Sequence, residues 1–163
     1  VSQTEQAAIE RSTTHATFVI ERTYDAPPER VFDAWANPEA KSQWFGPGEK
    51  PVGAYTLDFR EGGREQLAIP QADGPEYTFE ALYTDIVPGQ RIVYTYEMHR
   101  DERRISVSVA TVEIEAAGSG TRLTLTEQGV YLDGLDDSAS REHGTNVLMD
   151  MLGALVESKG DDA

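Results

Sequence analysis

Phe18-Val19-Ile20-Glu21-Arg22-Thr23-Tyr24 gives way to Asp25-Ala26-Pro27-Pro28-Glu29-Arg30-Val31-Phe32-Asp33-Ala34-Trp35, then to Asn37-Pro38-Glu39 and Trp44-Phe45-Gly46-Pro47-Gly48. The opening run alternates apolar and polar residues, as a half-buried strand does. Pro27 and Pro28 suit a first helical turn, where the N–H that proline lacks would have no intrahelical partner. Glu29 complements the positive end of that helix, and Val31, Ala34 and Trp35 recur at helical spacing to build one apolar face. Asn37 then supplies a side-chain cap, Pro38 takes the first position of a second helix, and Gly46-Pro47 ends it. The reading is one strand followed by two helices of about two turns each.

Beyond this stretch, period-two alternation takes over. Tyr55 to Phe59 and Arg64 to Ile69 are candidate strands joined through Glu61-Gly62-Gly63, where glycine supplies the positive φ a tight turn demands. Tyr77, Phe79, Ala81 and Tyr83 share one strand face before the turn Val87-Pro88-Gly89-Gln90, and Ile92, Tyr94, Tyr96 and Met98 share a face after it. Ile105 to Glu115 and Thr121 to Gln128 follow, separated by Gly118-Ser119-Gly120. Strands joined by short turns predict an antiparallel meander. The period then changes. Val147 and Leu148, Met151 and Leu152, and Leu155 and Val156 recur every four residues, and the stripe projects back to His143 and Gly144. A helix from about Ser138 to Ser158, capped by Asp136 or Asp137 and stopped at Lys159-Gly160, would be roughly 30 Å long.

At 163 residues the chain is most simply one domain. That length buries about 70% of the surface its unfolded form exposes. No cysteine is present, which excludes disulfides, thiolate catalysis and cysteine-based zinc sites. With 29 acidic against 14 basic residues, the net charge of -15 repels phosphate backbones and anionic lipid, so neither nucleic acid nor membrane is an expected partner. No run of about 18 apolar residues is present, and the cytoplasm is the expected compartment. Residues 1–14 are read as a mobile N-terminal tail, 15–160 as a single domain and 161–163 as a C-terminal tail.

The order of strand, two helices, six strands and long helix resembles the helix-grip domains of the START-related superfamily. The motifs Asp58-Phe59-Arg60-Glu61-Gly62-Gly63-Arg64, Val87-Pro88-Gly89-Gln90-Arg91-Ile92-Val93-Tyr94 and Gly120-Thr121-Arg122-Leu123-Thr124-Leu125 are similar to those of bacterial homologues of the heat-shock-protein ATPase activator. The resemblance implies an α+β fold in which a curved antiparallel sheet of six or seven strands wraps the long C-terminal helix and leaves an apolar cavity. It also implies two alternatives to ligand binding. One is a co-chaperone role on a heat-shock ATPase, although the eukaryotic activator carries a further N-terminal chaperone-binding domain for which this chain has no room. The other is a START-related cyclase or hydrolase.

The cavity is expected to be lined by Trp35, Trp44, Phe45, Tyr77, Phe79, Tyr94 and Tyr96, with His143, Val147 and Met151 facing it from the helix. Arg64, after the Gly-Gly turn, is a candidate polar anchor, with an ion pair to Asp58 or Glu61 as the plainer account. Tyr94, Tyr96 or His143 would be acid or base in a catalytic version. Glu97 and His99 fall on the opposite strand face from the tyrosines, and a one-residue β-bulge would be enough to turn them inward. His15, His99 and His143 show no ligand-like spacing, so no metal is expected, and no phosphate loop, dinucleotide fingerprint or nucleophile elbow is present. The expected activity is binding of a small hydrophobic or aromatic molecule without defined catalysis or cofactor. A homodimer and a chaperone partner remain open.

Overall fold

The computed structural model describes residues 10–46 and 54–158. Strand β1 (Thr13–Tyr24) leads into helices α1 (Pro28–Ala36) and α2 (Pro38–Trp44). Strands β2 (Tyr55–Leu57), β3 (Arg64–Ile69), β4 (Tyr77–Val87), β5 (Arg91–Arg100), β6 (Arg103–Ala117) and β7 (Gly120–Leu132) follow, and helix α3 (Ser138–Glu157) closes the chain. All seven strands join one sheet in the order β1-β7-β6-β5-β4-β3-β2. Every pairing is antiparallel. This is the α+β helix-grip architecture.

Local chemistry accounts for the helix boundaries. Pro28 and Pro38 sit in the first turns of α1 and α2, and the Asn37 side chain accepts from Glu39 N–H at 2.9 Å and Ala40 N–H at 3.3 Å. Asp137 caps α3 by accepting from Ser140 N–H at 2.8 Å. The Gly62-Gly63 turn is equally constrained. Gly62 has φ +84°, and a Cβ on Gly63 would lie 2.0 Å from the Asp58 carbonyl oxygen. The expected stops at Gly46-Pro47 and Lys159-Gly160 fall partly or wholly outside the described residues, as do the 161–163 tail and residues 1–9 of the N-terminal one. Of the remaining tail residues, Thr13 and Thr14 already pair with Leu132 and Tyr131, so the strand begins ahead of the boundary set at residue 15.

One sheet face holds the core. Phe18 and Ile20 from β1, Phe79 and Ala81 from β4, Ile92, Tyr94 and Tyr96 from β5, and Leu123 and Leu125 from β7 are buried there. Register shifts at Tyr83/Asp85 and at Met98/His99 bend the sheet, since an unpaired residue on one strand increases local twist. Helix α3 is tied to the end of β1 and to α1: Tyr24 Oη donates to Met149 O at 2.9 Å, Arg30 donates to Val156 O at 3.1 Å, and Asp25 N–H donates to Glu157 at 2.8 Å.

That attachment sets the face α3 buries, which keeps Leu152 and Val156 of the expected stripe, packs Leu148, Met151 and Leu155 at its edge and leaves out Val147 and His143. The buried stripe is Thr145, Met149, Leu152, Gly153 and Val156. His143 and Val147 are exposed, Val147 at 44%. Gly153 belongs to this face because its missing side chain lets the helix backbone press onto the Tyr24 ring, where a Cβ would come within 2.9 Å of Cε1. Met151 stays half-buried and packs against the core from the flank of the stripe.

Candidate functional site

A cavity of about 330 Å³ remains between the sheet, α2 and α3. Trp35, Trp44 and Phe45 line it from the helical side, Leu67 and Ile69 from β3, Phe79 from β4, and Tyr94, Tyr96 and Met98 from β5. Leu125 and Glu127 of β7 form its floor, and Gly144, Thr145, Leu148 and Met149 of α3 form its roof. The rings interlock edge to face. Trp35 meets Trp44 at 4.8 Å, Phe45 meets Phe79 at 4.9 Å, and Phe79 meets Tyr96 at 4.8 Å.

Six of the ten expected cavity residues therefore line it: Trp35, Trp44, Phe45, Phe79, Tyr94 and Tyr96. Four do not. Tyr77 opens β4 opposite Ile69 and Arg100, where it is only half-buried. His143 and Val147 face away with the exposed side of α3, which removes His143 from any acid or base role in the cavity, and Met151 packs beside the stripe. Arg64 is no anchor either. It points outward because Glu65 and Leu67 take the inward positions of β3, and Asp58 pairs with Arg60 at 2.8 Å instead.

Two polar clusters under and beside the cavity escaped the sequence reading. In the first, Arg141 of α3 donates to Tyr96 Oη at 3.0 Å, to Ser106 Oγ at 2.9 Å and to Asp136, while Tyr96 donates its hydroxyl proton to Glu127 Oε1. Burial pushes the Glu127 carboxyl above its ordinary value, with Tyr96 and Arg141 pulling the other way. Burial also raises the Tyr96 phenol, which Glu127 raises further. For Arg141, burial opposes the charge, but Tyr96, Asp136 and Glu127 outweigh it and hold the guanidinium above its ordinary range.

The second cluster centres on Lys41, which α2 buries completely. Its ammonium donates to Glu65 Oε1 at 2.8 Å and to Tyr83 Oη at 3.0 Å, and Tyr83 and Tyr55 both donate to Glu65 at 2.7 Å. Five rings surround the ammonium, with Phe45 at 4.5 Å and Trp35 at 5.3 Å from it. Burial lowers the Lys41 pKa and Glu65 resists that shift. The signals were present in the strand phase. Glu65 alternates with Leu67, and Glu127 with Leu125 and Leu123, so each carboxylate had to point inward.

Glu97 and His99 lie on the outward face as expected. The irregularity at Met98/His99 puts the extra residue on β6, where Ile105 is unpaired, and leaves the phase of β5 intact. Glu80 faces Glu97 directly across β4 and β5. The ligating atoms of Glu80, Glu97 and His99 lie within 4.8 Å of one another, and Arg104 neutralises Glu97 at 2.6 Å. No helix among the described residues is long and apolar enough to cross a membrane.

Comparison with known proteins adds a family. The sequence profile described as Activator of Hsp90 ATPase homolog 1-like protein matches residues 25–157. A protein from Rhizobium leguminosarum superposes with a TM-score of 0.88 at 48% identity, covering 91% of this chain and 98% of that one. The Mll3558 protein from Rhizobium loti gives 0.83 at 43% identity, with 88% and 99% covered. A Chromobacterium violaceum protein gives 0.73 at 27%, with 86% and 96% covered. No curated protein sequence matches.

Proposed function

Because the chain belongs to the Activator of Hsp90 ATPase homolog 1-like family, with its START-like helix-grip fold, we propose that it binds a small hydrophobic or aromatic molecule in the cavity between sheet and C-terminal helix. The observation that carries this reading is a cavity of about 330 Å³ walled by aromatic rings, with charged side chains confined to Glu127, Asp136 and Arg141. Its volume sits at the lower end of the roughly 300–1,000 Å³ typical of ligand pockets. The acidic, cysteine-free sequence suits a cytoplasmic binding protein.

Trp35 and Trp44 both line the cavity, so a ligand entering it will change tryptophan emission. Solvent extraction of the purified protein with mass spectrometry, beside thermal-shift screening of aromatic compounds, tests the proposal. Recovery of a bound apolar molecule or a rise in melting temperature supports it. Unchanged melting and emission across aromatic and aliphatic classes overturns it.

A second reading is favoured by the description of the matched family alone: stimulation of a heat-shock ATPase. Equal ATP turnover by the chaperone with and without the protein would remove it.

A further inference from the structure

We propose that the cavity selects a neutral aromatic ligand bearing a hydroxyl group, held by the Tyr94 hydroxyl and by Glu127 Oε2, and that it turns carboxylates away even though Arg141 stands in its wall. This rests on the cavity-binding reading above and names the chemistry of the ligand.

Two hydrogen-bonding groups in the wall have no hydrogen-bond partner among the described residues. Tyr94 is 5% exposed, yet its hydroxyl bonds to no described residue. Its neighbours in the sheet are all engaged, Tyr83 with Glu65 and Tyr96 with Glu127. Glu127 is 3% exposed, and its Oε1 takes the Tyr96 proton while no described group hydrogen-bonds its Oε2. Both residues line the cavity. Neither atom is sealed in protein, so both are open to the cavity, whereas the Trp35 indole N–H of the same wall is fully buried with no partner among the described residues. Polar groups inside a protein ordinarily find partners in protein, solvent or ligand, because an unmade hydrogen bond leaves the desolvation cost uncompensated. A ligand that brings its own polar group restores what the wall leaves open.

The kind of group follows from donor and acceptor counting. Tyr94 Oη can give and receive, and Glu127 Oε2 gives when the acid is protonated and receives when it is ionised. A hydroxyl, which also gives and receives, satisfies both partners in either state. A carboxylate fails on charge. Arg141 already donates to Tyr96, Ser106 and Asp136, its guanidinium carbon lies 5.6 Å from the Tyr96 ring centroid and 5.5 Å from that of Tyr131, and its Nη1 lies 3.8 Å from Glu127 Oε1. A further anion would enter a low-dielectric site where the cation is committed to resident acids. Lys41, the other cation nearby, is bonded to Glu65.

Titration of the full chain with naphthalene, 2-naphthol and 2-naphthoate at neutral pH decides the matter. The expected order places 2-naphthol about tenfold tighter than naphthalene, the worth of roughly one buried hydrogen bond, and 2-naphthoate no tighter than naphthalene. In Tyr94→Phe the ratio of naphthol to naphthalene affinity collapses toward one. In Asp136→Asn, where Arg141 loses its acid, 2-naphthoate gains severalfold relative to naphthalene. The wild-type series stands by itself if either variant fails to fold. Equal binding of naphthalene and 2-naphthol, a preference for 2-naphthoate, or a full hydroxyl preference in Tyr94→Phe overturns the inference while leaving the cavity-binding reading intact. Binding of none of the three overturns both.

Discussion

Lys41 Nζ lies 2.8 Å from Glu65 Oε1, with neither side chain exposed at all. The ammonium comes from a seven-residue helix and the carboxylate from a short strand near the sheet edge, so this pair fastens α2 to β3. The ion pair lies directly behind Trp35, Phe45 and Tyr94 of the cavity wall. Its arrangement supports the wall because charge, hydrogen bonds and ring packing are satisfied together.

Breaking that pair is expected to cost far more than removing it. Lys41→Met leaves Glu65 buried with only the two tyrosine hydroxyls, a loss of about 3–5 kcal/mol. Adding Glu65→Leu recovers much of the loss, since no uncompensated charge remains. Urea unfolding of the two single variants and the double variant measures this, and strictly additive losses would refute the coupling.

Glu127 gives a pH signature of defined sign. Its folded-state pKa is raised by burial, so as pH climbs through the unfolded value of about 4.3 the unfolded chain releases a proton that the folded chain keeps. Stability from this group is fully present below that value and is lost as pH rises to the folded-state pKa. The stability difference between wild type and Glu127→Gln therefore shrinks with rising pH over this window. Parallel pH profiles of the urea midpoints would contradict it.

Two glycines of α3 should respond oppositely to alanine. At Gly144 nothing lies within 4 Å of an added Cβ, so Gly144→Ala gains helix propensity, about 0.5–1 kcal/mol. At Gly153 the added Cβ meets the Tyr24 ring at 2.9 Å and 3.2 Å, and overpacking of this kind costs about 1–3 kcal/mol. Thermal melts of the two variants settle both signs.

The same helix offers a test of which face is buried. Leu152→Ala and Met149→Ala empty fully buried positions and should cost about 2–5 kcal/mol each. Val147→Ala and His143→Gln are on the exposed side and should stay within about 0.5 kcal/mol. A large loss at Val147 would mean that α3 turns its other face to the sheet.

Much of the site was readable before folding, and the misses have physical causes. Trp35, Trp44 and Phe45 follow from proline-started helices beside an alternating strand, and Phe79, Tyr94 and Tyr96 from period-two strands. Val147 falls outside the buried face because the apolar stripe of α3 is broad and periodicity does not fix its edge. Arg64 falls on the surface, as the plainer account of it has it, because Glu65 and Leu67 hold the inward phase of β3. Glu127 carries its signal in the strand phase it shares with Leu123 and Leu125, whereas Arg141 has no local signal until its partner is seen.

Sequence alone determined the succession of elements, their caps and turns, and the inward alternation of the strands, because these depend on residues a few positions apart. Tertiary structure alone decided where the buried stripe of α3 ends, through the contact of Gly153 with Tyr24, and which charges share the interior. Lys41 and Glu65, or Glu127 and Arg141, become neighbours only when distant segments close around one curved sheet. The cavity belongs to the same level, for its volume is what that curvature and the backbone approach at Gly153 leave unfilled.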